Sequence, residues 1–261
     1  MRTLQIILIA AMIAGGFTSA QSTAAEEPVK VLYLTKSSGF EHSVVQREKG
    51  QLAWSEKIMV ELGAKNNMLV VPTKDAGLIN ADVLKQFDVV QFYTTGDLTQ
   101  PSKDNGAPMS AAGREALIQW IKNGGGFAGM HTSADTFHEF EPYLKMVGGE
   151  FATHGQQEVA KVSVVKDHPI VSHIGESMEL QDEWYIFKNV THTFTPLLML
   201  ETKGMKQAAY NSIDPYAITW IEENGNGRVF CTALGHREDV WTNPKFQDLL
   251  VKGIKWAAKK L

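Results

Sequence analysis

The sequence predicts an α/β fold built on a doubly wound, mostly parallel sheet, with a β-rich excursion in the C-terminal half. Through residue 130, short runs rich in β-branched residues alternate with stretches of helical periodicity, which is typical of strand–helix–strand units. Beyond residue 158 the alternation of strand-like and helical segments gives way to several short β-like runs. An apolar run near residue 230 then predicts a strand that returns to the core of the sheet.

The first unit begins with the β-rich run 29–35, followed by a polar loop. Ser43 with Gln46 three residues later resembles a capping box, so the pattern predicts a helix from there to Gly63. Runs 68–72 and 88–93 predict two more strands, with a short helix at 81–86 between them.

The fourth unit is a helix capped by Ser110 and ended by the glycines at 124–126, and it leads into a strand at 127–130. In the excursion, strands are predicted at 159–165, 197–201 and 210–222. The segment 224–227 (NGNG) predicts a tight turn into the returning strand 228–234, and Asn243 with Pro244 starts the last helix.

The N-terminus has the pattern of a secretory signal peptide at residues 1–20. Arg2 precedes an apolar run over 4–14, and small residues follow at 18–20, so we expect cleavage after Ala20 or as late as residue 25. The protein is therefore expected to be exported, periplasmic or secreted, without stable membrane insertion after cleavage. One α/β domain is predicted over residues 28–261.

Composition narrows the classes of partner. The net charge is −4, which disfavours a nucleic-acid partner. Cys231 is the single cysteine, so no intramolecular disulfide is possible. The glycines at 124–126 end a helix before a strand, the reverse of a dinucleotide fingerprint, so no nucleotide cofactor is expected. The oligomeric state is left open.

Histidines follow three of the predicted strands. His42 comes after the first strand, His131 after the fourth and His236 after the returning strand. Because ligands in open parallel sheets bind at the carboxyl ends of strands, these three imidazoles are expected to share one cleft. The turn at 126–133 resembles a nucleophile elbow, but Met130 or His131 stands where acyl transfer needs Ser or Cys. An imidazole there suits metal ligation or proton transfer.

An acidic pair lies in an otherwise aromatic stretch further along the chain. Asp182 and Glu183 suit acid–base or ligand roles, while Trp184 and Tyr185 suit stacking on a sugar ring. The competing interpretations are solvated loop charge for the acids and core packing for the aromatic side chains.

Five segments together resemble the trehalose-utilisation (ThuA-like) family and cover nearly the whole predicted domain: 38–42 (SGFEH), 124–131 (GGGFAGMH), 147–154 (VGGEFATH), 182–185 (DEWY) and 233–236 (ALGH). The resemblance implies a flavodoxin-like, class I glutamine amidotransferase-like fold. Its His131 turn corresponds to the amidotransferase cysteine position, and His236 with Glu238 resembles the His-Pro-Glu of that triad. Since the cysteine is replaced, glutamine amidotransferase activity is not expected.

The family implies carbohydrate catabolism, acting on glycosides or their 3-keto derivatives by hydrolysis, elimination or isomerisation. The expected catalytic residues are His131, Glu183 and His236. The expected substrate contacts are His42, Asp182, Trp184, Tyr185 and Glu238. The resemblance also allows one divalent metal, with His131, His154 and His236 as its expected ligands. Such a donor set suits zinc, manganese or iron better than calcium.

Two alternatives stay open at this point. A non-catalytic sugar-binding or sensing protein fits the missing nucleophile, because a fold alone does not certify activity. An amidase relative with an unconventional nucleophile ranks last. The residue pattern favours an enzyme, with a carbohydrate small molecule as its partner.

Overall fold

A computed structural model describes residues 26–261, so the predicted signal peptide at 1–20, or up to residue 25, lies outside the described residues. The strands are β1 (Val29–Leu34), β2 (Met68–Thr73), β3 (Val89–Phe92), β4 (Gly126–Met130), β5 (Glu150–His154), β6 (Glu158–Val164), β7 (Ser177–Asp182), β8 (Tyr185–Lys188), β9 (Thr195–Leu200), β10 (Tyr216–Asn224) and β11 (Gly227–Thr232). The helices are α1 (Trp54–Lys65), α2 (Ala81–Leu84), α3 (Ala111–Lys122), α4 (Glu141–Val147), α5 (Ala208–Asn211), α6 (Glu238–Trp241) and α7 (Pro244–Ala257).

A nine-stranded sheet in the order β2-β1-β3-β4-β11-β10-β9-β6-β7 forms the centre of the molecule. The first five strands of that order are parallel, and the remaining four extend the same sheet with antiparallel pairing. The excursion also supplies a two-stranded antiparallel sheet, β5 with β8. The predicted α/β class, its parallel sheet and the re-entry of the chain after the excursion are confirmed.

Helices cover both faces of the parallel block because its strands are buried on both sides. Val31 and Tyr33 of β1 pack in one core with α1 and α7, whereas Leu32 and Leu34 pack in a second core with α3 and α4. This alternation follows the two-residue period of a strand. It gives the sheet the two helical layers of a doubly wound fold.

Local capping explains where two predicted helices begin. The Ser110 hydroxyl accepts from the Gly113 N–H at 2.9 Å, and the Asn243 side chain accepts from the Lys245 N–H at 2.9 Å, as their positions predict. In the turn that joins β10 to β11, Gly225 has a φ of +62°, a backbone conformation that the predicted tight turn requires.

Two element predictions are wrong. Ser43 starts only a single 3₁₀ turn, and α1 begins at Trp54, where the Glu56 carboxylate accepts from the Ala53 N–H at 2.9 Å. The strand predicted from residue 210 begins at Tyr216, because Tyr210 and Asn211 belong to α5 and 212–215 form an irregular connection. Within residues 26–261 no helix is both long and apolar enough to cross a membrane.

Candidate active site

Four polar side chains meet at one edge of the sheet. His131 follows β4 and His236 follows β11, and these parallel neighbours end at the same edge. β7 runs in the same direction, because each step from β11 through β10, β9 and β6 reverses the strand. Glu183, directly after β7, therefore ends at that edge too, and His42 reaches it from the loop after β1.

The sheet must curl to bring Glu183 to the histidines. β7 lies four strands from β11, about 19 Å in a flat sheet, yet the carboxylate of Asp182 at the end of β7 accepts from the Gly235 N–H at 2.8 Å. Register shifts in the β9–β10 pairing around Thr219 increase the local twist. The end of β7 is thereby brought against the loop after β11.

The four side chains form a compact donor set. One ligand atom from each of His42, His131, Glu183 and His236 lies within 4.8 Å of the others. One carboxylate oxygen of Glu183, Oε2, is 3.2 Å from Nδ1 of His236 and 3.6 Å from Nε2 of His131. The ring centroid of His42 lies 5.2 Å from that of His131 and 5.1 Å from that of His236. The expected meeting of three strand-end imidazoles is thus observed.

Three imidazole nitrogens in this set are buried without a hydrogen-bond partner: His42 Nδ1, His131 Nε2 and His236 Nδ1. Buried polar atoms normally find partners, and each of these nitrogens belongs to a residue of the donor set, so each ring has a nitrogen available to bind a metal. Imidazole and carboxylate together suit zinc, manganese or iron. The residues therefore fit one divalent transition metal.

The second ring nitrogen of His131 fixes its tautomer. Nδ1 lies 2.7 Å from the carbonyl oxygen of Ala233, which only accepts, so Nδ1 carries a proton; in the neutral ring the lone pair is then on Nε2, the nitrogen nearest Glu183 Oε2. The backbone is equally constrained: His131 has a φ of +34°, an unusual value for a residue with a side chain. A Cβ added at Gly129 would lie 2.5 Å from the Ser133 hydroxyl, so the tight turn requires glycine there.

Burial and mutual charge set the protonation of the donors. Burial, then the neighbouring His131 and His236, lower the pKa of His42 to about 2, so its ring is neutral near neutral pH. Burial alone would raise the pKa of Glu183, but the adjacent imidazoles of His131 and His236 outweigh it and hold that pKa well below its ordinary value. A neutral imidazole and an ionised carboxylate are the forms that ligate metals.

Two residues predicted to contact substrate are buried and hydrogen-bonded to the backbone. The carboxylate of Asp182 is fully buried and accepts from the backbone N–H groups of Gly235, His236 and Glu183 at 2.8, 3.1 and 3.0 Å. Burial raises the pKa of Asp182. The indole of Trp184 is buried and donates to the Glu158 carbonyl at 2.8 Å. Both polar groups are therefore occupied by the backbone of neighbouring segments.

The other predicted residues divide between the centre and its rim. Tyr185 is buried with its ring 4.3 Å from that of His131, so it packs on a donor. His154 was predicted as a metal ligand, but it lies outside the donor set, largely exposed, with Nδ1 bonded to the Gly155 carbonyl at 2.8 Å and 3.3 Å from Glu183 Oε1. The observed donor set contains His42 and Glu183 and not His154. Glu238 is exposed at the start of α6.

Cys231 does not replace the amidotransferase nucleophile. It lies in β11, fully buried, and burial raises the pKa of its thiol. A nucleophilic cysteine needs an accessible thiolate.

Sequence reasoning overlooked Trp54 and Arg237, which line a cleft of about 510 Å³ beside His236. Trp54 carried no signal because the predicted helix start placed it inside a helix, whereas it is the first residue of α1.

Comparison with known proteins agrees with this architecture. A family model described as "ThuA: Trehalose utilisation" matches residues 30–257. A ThuA-like protein from Bacteroides uniformis aligns with a TM-score of 0.70 and 21% identity over 91% of this chain and 95% of its own. One from Parabacteroides merdae aligns with a TM-score of 0.68 and 16% identity over 88% and 90%.

A β-galactosidase from Bacillus circulans matches over 88% of this chain but 31% of its own, with a TM-score of 0.52 and 11% identity. At these identities the structural likenesses indicate the fold alone. The comparison with curated proteins returned no match. The family match spans most of the chain and agrees with the five segments noted in the sequence, so the chain belongs to the ThuA (trehalose utilisation) family.

Proposed function

We propose that this protein is a carbohydrate-active enzyme that acts on a glycoside or a 3-keto-sugar derivative by hydrolysis, elimination or isomerisation. We also propose that it holds one divalent transition metal on His42, His131, Glu183 and His236. The observation that carries the proposal is that one ligand atom from each of three histidines and one carboxylate lies within 4.8 Å of the others, while each of the three rings has a buried nitrogen without a hydrogen-bond partner.

The exposure of each side chain in the cluster suggests its role. His131 and His42 are buried and positioned, so they serve as fixed ligands. The side chain of His236 is 20% exposed and borders the adjoining cleft, so substrate enters from its side. Glu183 stays ionised because its pKa is held well below its ordinary value, so it serves as an anionic ligand rather than as a strong base. A divalent metal bound there would polarise a substrate carbonyl or a water molecule.

Metal content of the purified protein is the first test. The wild type, stripped with chelator and then supplied separately with zinc, manganese or iron, should retain about one metal per chain. His42→Ala, His131→Ala and His236→Ala should each lose it, whereas His192→Ala, which removes an exposed imidazole outside the donor set, should not. A wild type that retains none of the three metals, or full retention of metal by all three single variants, would overturn the metal assignment.

Turnover separates an enzyme from a sugar-binding protein. Trehalose and 3-keto-glycosides should be consumed by the metal-loaded wild type, and His131→Ala should lose most of that rate. Binding of these sugars without turnover under any metal would favour the non-catalytic alternative. Full turnover by His131→Ala would contradict the role given to that residue.

We further propose that this chemistry takes place outside the cytoplasm, supported by the signal-peptide pattern of residues 1–20. Mass spectrometry of the mature protein should find Gln21, or a residue up to 26, at its N-terminus. An intact Met1 in protein recovered from the producing cell would count against export.

A further inference from the structure

Exposed aromatic side chains are unevenly placed on this molecule. Among the large apolar side chains of residues 26–261 that are exposed, two are aromatic, Phe40 and Trp54. The Phe40 ring packs edge-on against His42 with centroids 4.8 Å apart. Trp54 lines the same cleft as His236. Both therefore border the proposed catalytic centre, where an exposed aromatic face is more informative than elsewhere on the surface.

The Trp54 indole is held in place while it stays accessible. It is 39% exposed, and its Nε1–H donates to the Glu238 carbonyl oxygen at 3.2 Å. This bond ties the first turn of α1 to the first turn of α6 and fixes the plane of the ring. A fixed ring with an open face loses little side-chain entropy when a ligand stacks on it.

The rest of the cleft is lined by polar side chains that bond to one another. The Arg237 guanidinium donates to both carboxylate oxygens of Asp239, at 2.8 and 3.0 Å, and to the side-chain oxygen of Gln157 at 2.8 Å. These planar groups offer donors and acceptors in fixed directions, which suits hydroxyl groups. The cleft measures about 510 Å³, within the usual range for small-molecule sites.

An aromatic platform beside fixed planar polar groups is the arrangement that binds a pyranose, whose C–H face is apolar and whose edge carries hydroxyls. We infer that the cleft between α1 and α6 is a second sugar subsite, in which a ring of the substrate stacks on Trp54 while its neighbour lies at the histidine cluster. The preferred ligand is then a glycoside of at least two rings. This inference rests on the proposed carbohydrate substrate.

Binding to the chelator-treated protein tests the subsite separately from the metal. Isothermal titration with trehalose, maltose and glucose should show at least one disaccharide binding about tenfold or more tightly than glucose. Trp54→Ala should weaken disaccharide binding about tenfold and Trp54→Phe less, because phenylalanine keeps an aromatic face. Val159→Ala, an exposed apolar residue outside the cleft, is the matched control and should change nothing.

The outcomes separate this inference from the proposed function. If Trp54→Ala loses disaccharide binding but keeps its metal, and His131→Ala loses its metal but keeps disaccharide binding, the subsite and the metal site are both supported. If no metal is ever retained but binding still depends on Trp54, the subsite stands and the metal chemistry fails. No binding of either disaccharide, glucose bound as tightly as they are, or unchanged binding in Trp54→Ala would each overturn the subsite.

Discussion

Replacing Asp182 by Asn tests whether a buried carboxylate holds two metal donors in position. The carboxylate accepts three backbone N–H groups, including those of Glu183 and His236. In the Asn side chain the remaining oxygen can still accept from the N–H groups of Glu183 and His236, which donate to Oδ1 of the wild type. The NH₂ group then replaces Oδ2 and cannot accept from the Gly235 N–H. The variant therefore leaves one buried donor without a partner.

An unpaired buried donor costs about 1–3 kcal/mol. The neutral amide avoids part of the desolvation cost of the carboxylate, so the net loss in unfolding free energy should be nearer the lower end. For a chain of this size that corresponds to a fall in Tm of roughly 2–4 °C per kcal/mol. Because the loop bearing His236 is loosened, metal affinity should fall about 10- to 100-fold, the usual cost of removing a group that orients ligands.

Circular dichroism melting and competition with a metal-binding dye measure the two effects on the same preparation. Asp82→Asn makes the same substitution at an exposed position and should leave both unchanged. If Asp182→Asn binds metal as tightly as the wild type, the positioning role is refuted, whatever happens to the Tm. A large loss of Tm with unchanged affinity would mean that the carboxylate only stabilises the fold.

Three further predictions concern the turn, the core and the acid range. Gly129→Ala places a methyl group 2.5 Å from the hydroxyl of Ser133, in the turn that carries His131. It should therefore lower metal affinity, measured by dye competition, more than Gly253→Ala, which overpacks the core elsewhere. Equal losses of affinity in the two variants would refute this. The buried Cys231 thiol should be alkylated at least about 10³-fold more slowly in native than in unfolded protein, and comparable rates would contradict its inertness. Burial tends to raise the pKa of Asp104, but hydrogen bonds outweigh burial and lower that pKa. The carboxylate therefore stabilises the fold above about pH 3.9, and this stabilisation is lost as the pH falls through the lower pKa of the folded state. In urea unfolding, Asp104→Asn should make the free energy of unfolding depend less on pH in the acid range, and an unchanged dependence would refute this.

Several elements were predictable because their signals are local. Capping by Ser110 and Asn243 and the NGNG turn each depend on a few adjacent residues, and the structure has them where the sequence places them. The capping-box pattern at Ser43 failed because 43–46 can also form a single 3₁₀ turn, and the Glu56 carboxylate caps the helix eleven residues later.

The histidine cluster was partly predictable for a topological reason. Parallel strands end at one edge, so His131 and His236 were expected to meet without any coordinates. The roles of the site residues, the domain bounds 28–261 and export remain predictions.

What the sequence alone determined is the alternation of strands and helices and the set of residues that follow strand ends, because both depend on periodicity along the chain. Only the tertiary structure decided that Glu183 joins the histidines and His154 does not, since this depends on how far the antiparallel half of the sheet curls. The same curl buries Asp182 on the backbone of the His236 loop. Residue order does not encode that curvature locally, because it results from packing between segments more than fifty residues apart.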